Sequence, residues 1–73
     1  MANVIKAHIT GNIWKIEVKV GDKIETGTVV SILESMKMEM PIEAEEDGVI
    51  TAVLVKEGDP VKEGAPMFEY DPA

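Results

Sequence analysis

The chain has 73 residues, with 14 acidic and 7 basic side chains and a formal net charge of −7. This length suits a single small domain, residues 1–73, with too little core for a deep catalytic cleft. The acidic balance disfavours nucleic-acid binding, the lack of cysteine excludes disulfides and thiolate metal sites, and no stretch approaches the ~20 apolar residues of a membrane helix. The N-terminus lacks the segments of a signal peptide, so we expect a cytoplasmic protein.

The sequence contains two copies of one glycine-punctuated pattern, offset by 37 residues. The repeats cover residues 11–33 and 48–70, and all six glycines of the chain fall into three matched pairs. Chance alignment of every glycine is improbable, so we interpret the pattern as an internal duplication. Two copies are too few for a solenoid, which needs about three, and they predict instead a domain with pseudo-two-fold symmetry.

The local signals within each copy are those of β-strands. Ile16, Val18 and Val20 alternate with charged residues, which is strand periodicity. The apolar residues that follow the opening glycine of each copy are out of step with this alternation, which predicts a bulge. No stretch has helical spacing with caps, so we predict an all-β fold.

Turns are expected where glycine is followed by aspartate, at residues 21–22 and 58–59. Glycine tolerates positive φ, and the aspartate side chain hydrogen-bonds the nearby backbone. Very short strands are then predicted around Ile24 and Val61, each ending at the next glycine.

The segment between the two copies, residues 34–47, begins with Glu-Ser-Met-Lys-Met-Glu-Met at residues 34–40. Apolar residues flank residues 34–40 on both sides, so we expect an antiparallel pair with its turn at residues 35–37 and Lys37 at the tip. The turn contains no Asn-Gly or Asp-Gly, the usual sequence signals of a tight hairpin. The prediction of a hairpin therefore rests mainly on the duplication. If the copies form related halves, their link is expected to cross from one sheet to the other.

An exposed lysine at a hairpin tip suits acylation by another enzyme that supplies an activated acyl group. A Schiff-base lysine requires a desolvated pocket, which a hairpin tip on a small domain does not provide. The amide formed on Lys37 would hold a cofactor on a flexible arm on the order of 10–15 Å long.

Methionines flank Lys37 on both sides. Two methionines are costly to expose at a solvated tip, and their adaptable thioethers suit recognition of Met36 and Met38 by a modifying enzyme. The alternative is that they are ordinary strand residues that face a core. Met40 and Met67 are predicted to be core residues.

Other residues carry less specific signals. Glu34 and Glu39 lie on either side of the site. They are either ordinary solvated charges or residues that a modifying enzyme recognises, and the sequence favours neither role. The acidic run at residues 43–47 is expected to be a solvated turn rather than a metal site, since it contains no histidine and lacks calcium-loop spacing. His8 is expected at the surface or rim, and Trp14 is expected to be a packing residue.

Residues 34–38, Glu-Ser-Met-Lys-Met, resemble the biotin-attachment motif, usually written Glu-Ala-Met-Lys-Met. The flanking Gly-x-Ile-x-x-Ile-x-Val-x-x-Gly-Asp-x-Ile-x-x-Gly pattern is similar to that of biotinyl/lipoyl domains over nearly the whole chain. The resemblance implies a flattened β-barrel, or sandwich, of two four-stranded antiparallel sheets with quasi-two-fold symmetry (a barrel-sandwich hybrid). It also implies that the modified lysine lies at the tip of the hairpin between the halves.

By position, the resemblance implies that Lys37 is acylated by a biotin protein ligase. Met36 and Met38 would be read by that ligase, with Glu34 and Ser35 beside them. Ser35 stands where the motif has alanine. The chain would then be a carrier rather than an enzyme, and its biotin would move a carboxyl group between biotin carboxylase and carboxyltransferase-type partners.

Lipoate, attached by a lipoyl ligase, is the alternative cofactor. Lipoyl domains commonly carry Asp-Lys-Ala at the acceptor, which residues 36–38 do not match, so the motif favours biotin. The chain nevertheless resembles the small free-standing biotin/lipoyl attachment proteins, and members of that group are thought to accept both. The third hypothesis is an unmodified interaction module, like the related domains of membrane-fusion adaptors. Those domains need long helical extensions, and this sequence shows no helical pattern.

Overall fold

The computed structural model describes residues 3–73, and in this range the chain forms eight β-strands and no helix. The strands are β1 (Asn3–Lys6), β2 (Gly11–Ile16), β3 (Lys23–Ile24), β4 (Val29–Ser35), β5 (Met38–Glu43), β6 (Gly48–Val53), β7 (Pro60–Val61) and β8 (Pro66–Pro72). No helix in this part of the chain could span a membrane.

The strands form two four-stranded antiparallel sheets that pack against each other. The first sheet has the order β1-β8-β6-β3 and the second has the order β5-β4-β2-β7. The predicted all-β fold of two four-stranded sheets is therefore confirmed. The two-residue strands β3 and β7 confirm the short strands predicted around Ile24 and Val61.

One predicted connection is wrong. The link between the two copies was expected to cross between sheets, but β4 and β5 are neighbours in the second sheet, with Leu33 opposite Met40. A two-residue turn joins strands that are hydrogen-bonded to each other. The crossings between sheets therefore occur at the longer connections, each of which joins a strand of one sheet to a strand of the other.

The two sequence copies form the same local turns. Asp22 Oδ2 accepts a hydrogen bond from the backbone N–H of Lys19, and Asp59 Oδ2 accepts one from Lys56, both at 3.0 Å. An aspartate that bonds the backbone three residues earlier holds the chain in a tight turn. Both predicted Gly-Asp turns are confirmed.

Each turn is also bonded to the opposite copy. The N–H of Gly21 donates to the carbonyl of Ile50 (2.8 Å), whose own N–H donates to the carbonyl of Asp22 (2.9 Å). Around Ile13 the matched bonds are Gly58 N–H to Ile13 O (2.7 Å) and Ile13 N–H to Asp59 O (2.8 Å). The turn of each half thus completes the backbone hydrogen bonding of a central strand in the other half.

The glycines that open β2 and β6 lie where two backbones approach closely. A Cβ atom at Gly11 would lie 2.6 Å from the carbonyl oxygen of Glu34, and one at Gly48 would clash with the carbonyl of Asp71 in the same way. No other residue type fits so close to a neighbouring strand without moving it.

The predicted bulges are present at matched positions of the two copies. The register of β2 against β4 shifts between Ile13 and Lys15, and that of β6 against β8 shifts between Ile50 and Ala52.

The strand predicted from the alternation in the first copy is shorter than expected. It ends at Ile16, and Val20 is exposed in the connection that follows. The prediction is wrong beyond that point because the chain must leave the second sheet to bond Ile50 in the first.

The core between the sheets is built largely from pairs of residues that are 37 positions apart, within the two copies and just before each of them. It contains Ile5 and Ile42, Ala7 and Ala44, Ile13 and Ile50, Ile24 and Val61, Val30 and Met67, Leu33 and Tyr70, and Phe68. The burial of Met67 confirms its prediction. Met40 is 37% exposed, so its assignment to the core is wrong. It lies on β5, an edge strand with a neighbour on one side only.

The acidic run that ends β5 and leads to β6 is largely exposed, as predicted, with Glu46 partly buried, and two of its carboxylates also bond to other parts of the chain. Glu46 Oε1 accepts hydrogen bonds from the hydroxyl of Tyr70 and from the Nδ2 of Asn3, both at 2.6 Å. Asp47 Oδ1 accepts a bond from the backbone N–H of Thr26 (3.0 Å). Within residues 3–73 no group of three or more side chains is arranged to hold a metal ion.

These hydrogen bonds shift the pKa of two groups. The Tyr70 hydroxyl, followed by the Asn3 amide, stabilises the charged carboxylate and lowers the pKa of Glu46. The same bond to Glu46 raises the pKa of Tyr70, because the hydroxyl must keep its proton to donate. Glu46 thereby connects the acidic turn to β1 and β8.

The variant Tyr70→Phe should raise the pKa of Glu46 toward its ordinary value. The largest stabiliser of the carboxylate is then lost, while the Asn3 bond remains. In the natural protein the contribution of Glu46 to stability is full above its unfolded-state pKa and is lost as pH falls through its lowered folded-state pKa. NMR titration of the side-chain carboxyl carbon measures the shift, with Glu43→Gln as a control that leaves the bond intact. An unchanged Glu46 titration in Tyr70→Phe would contradict this assignment.

Candidate functional site

The link between the two copies is a tight hairpin. β4 ends at Ser35 and β5 begins at Met38, so only Met36 and Lys37 form the turn. Their φ angles are 51° and 66°. Positive φ at both central residues is typical of a type I′ turn, whose twist matches that of the flanking strands. The predicted hairpin is confirmed, and Lys37 lies exposed at its tip.

The turn is strained because neither central residue is glycine or asparagine. Left-handed backbone costs an ordinary L-residue roughly 1–2 kcal/mol. The register below the turn, with Ser35 opposite Met38 and Leu33 opposite Met40, leaves only two residues to reverse the chain. Backbone strain that is held in place by its surroundings is found most often at functional sites.

The two methionines beside Lys37 do not face the core. Met36 is 93% exposed and Met38 is 62% exposed, so the alternative of ordinary packing residues is wrong for both. Because large apolar side chains are usually withdrawn from water, this pair provides an apolar surface around the lysine. The two methionines directly precede and follow Lys37 in the exposed turn.

Two carboxylates lie directly below the tip. Glu34 and Glu39 are register partners on neighbouring strands, and both are exposed. Like charges directly opposite each other destabilise a sheet. Ser35, between Glu34 and the turn, is half-buried. The residues that the sequence proposed for the site therefore all lie in the turn or next to it: Glu34, Ser35, Met36, Lys37 and Met38.

His8 lies away from this tip. It is exposed, as predicted, and lines two shallow grooves beside the edge strands β1 and β5, together with Glu43 and Glu45. Lys37 lines neither groove. Glu43 of β5 lines both grooves and Pro41 lines one of them, so the grooves adjoin the hairpin but do not include its tip.

Trp14 is not the packing residue that the sequence predicted. Its side chain is 42% exposed, and the Nζ of Lys15 lies 5.0 Å from the centroid of its ring. The bulge in β2 places both side chains on the outside of the second sheet. The signal that could have indicated a surface role is the duplication itself, since the matched residue is Thr51.

Comparison with known proteins gives consistent matches to this arrangement. The family described as "Biotin-requiring enzyme" matches residues 1–70. The "Biotin/lipoyl attachment protein" of Bacillus subtilis is 51% identical over 65 residues, which cover 89% of each chain. The "Biotin carboxyl carrier protein of acetyl-CoA carboxylase 2, chloroplastic" of Arabidopsis thaliana is 46% identical over 55 residues, covering 75% of this chain and 22% of that protein.

Among solved structures, the urea carboxylase of Kluyveromyces lactis superposes with a TM-score of 0.90 at 35% sequence identity. The match covers 97% of this chain and 6% of the carboxylase chain. The present chain thus spans most of the Bacillus subtilis protein but only a small part of the plant protein and of the yeast enzyme.

The variant Met36→Gly should raise the free energy of unfolding by about 1 kcal/mol, because glycine adopts positive φ without steric cost. The matched control Met38→Gly removes the same side chain from a strand, and it should lower stability by about 0.5–1 kcal/mol. Urea unfolding of both variants measures the difference. If Met36→Gly proves as destabilising as its control, the turn is not strained.

Proposed function

We propose that this chain, which belongs to the biotin/lipoyl domain family of biotin-requiring enzymes, carries covalently attached biotin on Lys37. The observation that supports this site most strongly is the strained two-residue turn, which presents a primary amine between two exposed methionines. The chain is a non-catalytic component of a biotin-dependent carboxylase system. Its role is to hold and move the cofactor.

The residues of the tip fit an attached acyl group. In the attachment step, the neutral amine of Lys37 attacks the activated carbonyl carbon supplied by a biotin protein ligase. An amide C–N bond forms, the activating group leaves with the electron pair of the broken bond, and one proton passes to a base. Because the product is uncharged and lies on an exposed turn, it needs no pocket on this domain.

The length of the arm and the size of the domain determine how far the attached group can move. When bound, biotin would take up a carboxyl group at one active site and release it at another. The Lys37 side chain and the chain of the attached cofactor together form a flexible arm on the order of 10–15 Å. The hairpin extends from a body with principal extents of 35 × 19 × 18 Å. Visits to two active sites must be brief, so weak and polar docking is expected.

The partners are carboxylase-type enzymes, consistent with the relatives of this chain being carrier proteins and domains of carboxylases. The finer assignment is that the partners comprise a biotin carboxylase component, a carboxyltransferase-type component and the ligase. We infer that the ligase reads Met36 and Met38, together with Glu34 and Ser35. Their positions around Lys37 support this assignment. The cytoplasmic location stays a prediction of the sequence.

Lipoate is the second candidate group for Lys37. The observation that favours it is the relative from Bacillus subtilis, which is called a biotin/lipoyl attachment protein and is 51% identical to this chain. A lipoyl ligase would form the same amide on the same amine. The carrier would then move acyl groups rather than carboxyl groups.

Intact mass and peptide mapping of the protein from its native source test the attachment site. We expect one biotinyl group per chain, located on the peptide that contains Lys37. Lys37→Arg should abolish it, because the guanidinium group is not a nucleophile at neutral pH. The control Lys56→Arg, at an exposed turn, should be modified normally. An unmodified Lys37 in cells with an active ligase would disprove the carrier function.

The double variant Met36→Asp, Met38→Ala tests which cofactor the tip selects. If the ligases read these side chains, biotin incorporation by a biotin protein ligase should fall about tenfold or more, as expected for loss of a central apolar contact. Incorporation of lipoate by a lipoyl ligase should rise. The control Met40→Leu keeps an apolar side chain further down β5. Equal incorporation of biotin by the double variant and the natural protein would show that the methionines do not select the cofactor.

A further inference from the structure

The pseudo-two-fold symmetry allows the outer faces of the two sheets to be compared position by position. In the second sheet, Trp14, Ile32 and Pro41 lie on three neighbouring strands, β2, β4 and β5. We call this surface the Trp14 face. Each of the three residues follows or precedes a buried residue in its strand, so by alternation its side chain points outward.

The three side chains form a continuous row across the sheet. Ile32 is opposite Pro41 on one side and opposite Lys15 on the other. Trp14 joins the same row because the bulge sets two residues of β2 against one residue of β4. Trp14 is 42% exposed, Pro41 is exposed and Ile32 is half-buried. Lys15 lies in the same row, with its Nζ 5.0 Å from the centroid of the Trp14 ring. An aromatic and two aliphatic side chains are thus exposed in one row, beside a single lysine.

The first sheet has no such row. The residues that match Trp14, Ile32 and Pro41 are Thr51, Glu69 and Val4, and the register pairs Glu69 with Val4. Ala52 is the match of Lys15 and lies on the other side of Glu69. A charged residue therefore stands at the centre of the row, where the second sheet has Ile32. Since the two faces have the same backbone, the fold does not require an apolar row, and the Trp14 face needs another explanation.

Acidic residues border the Trp14 face: Glu34 on β4 and Glu39 on β5 lie toward the hairpin tip, and Glu43 lies at the far end of β5. Glu34, Glu39 and Glu43 are exposed and point outward like Pro41. Two of them, Glu34 and Glu39, are opposite each other, and their repulsion costs stability in the free protein. A partner with basic side chains at this border would remove that repulsion on binding. An apolar centre with a charged rim is also typical of protein interfaces, and Trp is enriched at their hot spots.

The Trp14 face is close to the residue that is modified. Pro41 lies four residues from Lys37 along β5, which corresponds to about 13 Å at the rise of an extended strand. A standard interface buries about 800 Å² of each partner, equivalent to a disc of roughly 16 Å radius. Trp14 lies two strands further across the sheet, about 10 Å at the spacing of neighbouring strands. A disc with Lys37 near its edge and its centre on the second sheet therefore covers the row.

We propose that the Trp14 face is the surface on which the ligase that acylates Lys37 docks. The ligase would receive the indole of Trp14 in an apolar depression and would place basic side chains opposite Glu39 and Glu43. This inference rests on the proposed function, since it needs a ligase that acts on Lys37. It adds Trp14, Ile32 and Pro41 to the recognition residues at the tip.

The geometry favours the ligase over the carboxylase components. A ligase must bind the unextended side chain of Lys37, so its surface has to approach the hairpin and the strands that form it. A carboxylase active site is reached through an arm on the order of 10–15 Å beyond the tip. It can receive the cofactor without touching a row about 13 Å below the tip on the side of the sheet.

The test compares Trp14→Thr with the control Val4→Thr, which replaces a similarly exposed apolar residue on the opposite sheet. The unmodified full-length protein is the substrate, and a purified bacterial biotin protein ligase with ATP and biotin is the probe. For Trp14→Thr we expect KM to rise about tenfold or more with little change in kcat, as for loss of a hot-spot residue. Val4→Thr should match the natural protein. The thermal midpoint of each variant shows whether it is folded.

A second variant tests the acidic border without removing any apolar contact. Glu39→Gln with Glu43→Gln should raise KM at low salt and should weaken the increase of KM with added NaCl, because fewer charges are screened. The control Glu69→Gln should leave both unchanged. Together with Trp14→Thr, this separates an apolar effect from an electrostatic one.

Three outcomes distinguish the possibilities. A higher KM for Trp14→Thr alone supports the docking surface. Natural kcat/KM for folded Trp14→Thr would overturn it, leaving biotin attachment to Lys37 intact and pointing to a carboxylase component as the occupant. Failure of the natural protein itself to accept biotin on Lys37 would overturn the proposed function, and this inference with it.

Discussion

The reciprocal bonding between the two halves is the constraint on which the rest of the structure depends. The turn of the first copy bonds to Ile50 in the second, and the matched turn bonds to Ile13 in the first. The backbone polar groups of a buried strand need partners, so neither half can satisfy its central strand alone. The halves must fold as one unit, and the residues that join them are left at one end of the sandwich. This explains why an internal duplication produces a single core.

The same constraint explains how a small domain presents a lysine so far from its core. β4 and β5 are held by neighbours and by the buried side chains of Leu33 and Ile42. These contacts define the register down to Ser35 and Met38, and the turn must adopt positive φ whatever residues occupy it. Met36 and Lys37 occupy it at a cost in backbone strain. The residue types that would relieve the strain, glycine and asparagine, would remove the features that suit the tip to acylation.

The outer surfaces depart from the symmetry of the backbone. Buried positions correspond between the copies because both halves contribute to one core with similar space requirements. The exposed positions are free of that requirement and differ, as with Trp14 and Thr51. The second sheet therefore carries the apolar outer row on the side chains of β2, β4 and β5, about 13 Å from Lys37. Matched bulges in the two copies expose different side chains, and only one sheet gains an aromatic surface.

The sequence alone determined the all-β class, the duplication, both Gly-Asp turns, the bulges and the position of Lys37 at a hairpin tip, because these depend on local conformational preferences and on a repeated pattern. The proposed cofactor also came from the sequence, through the motif at residues 34–38. The tertiary structure decided which strands are neighbours, and it placed Met40 and Trp14 at the surface. Pairing between distant strands, edge positions and the outward side of a bulge depend on contacts far apart in the chain, which periodicity within one strand does not encode.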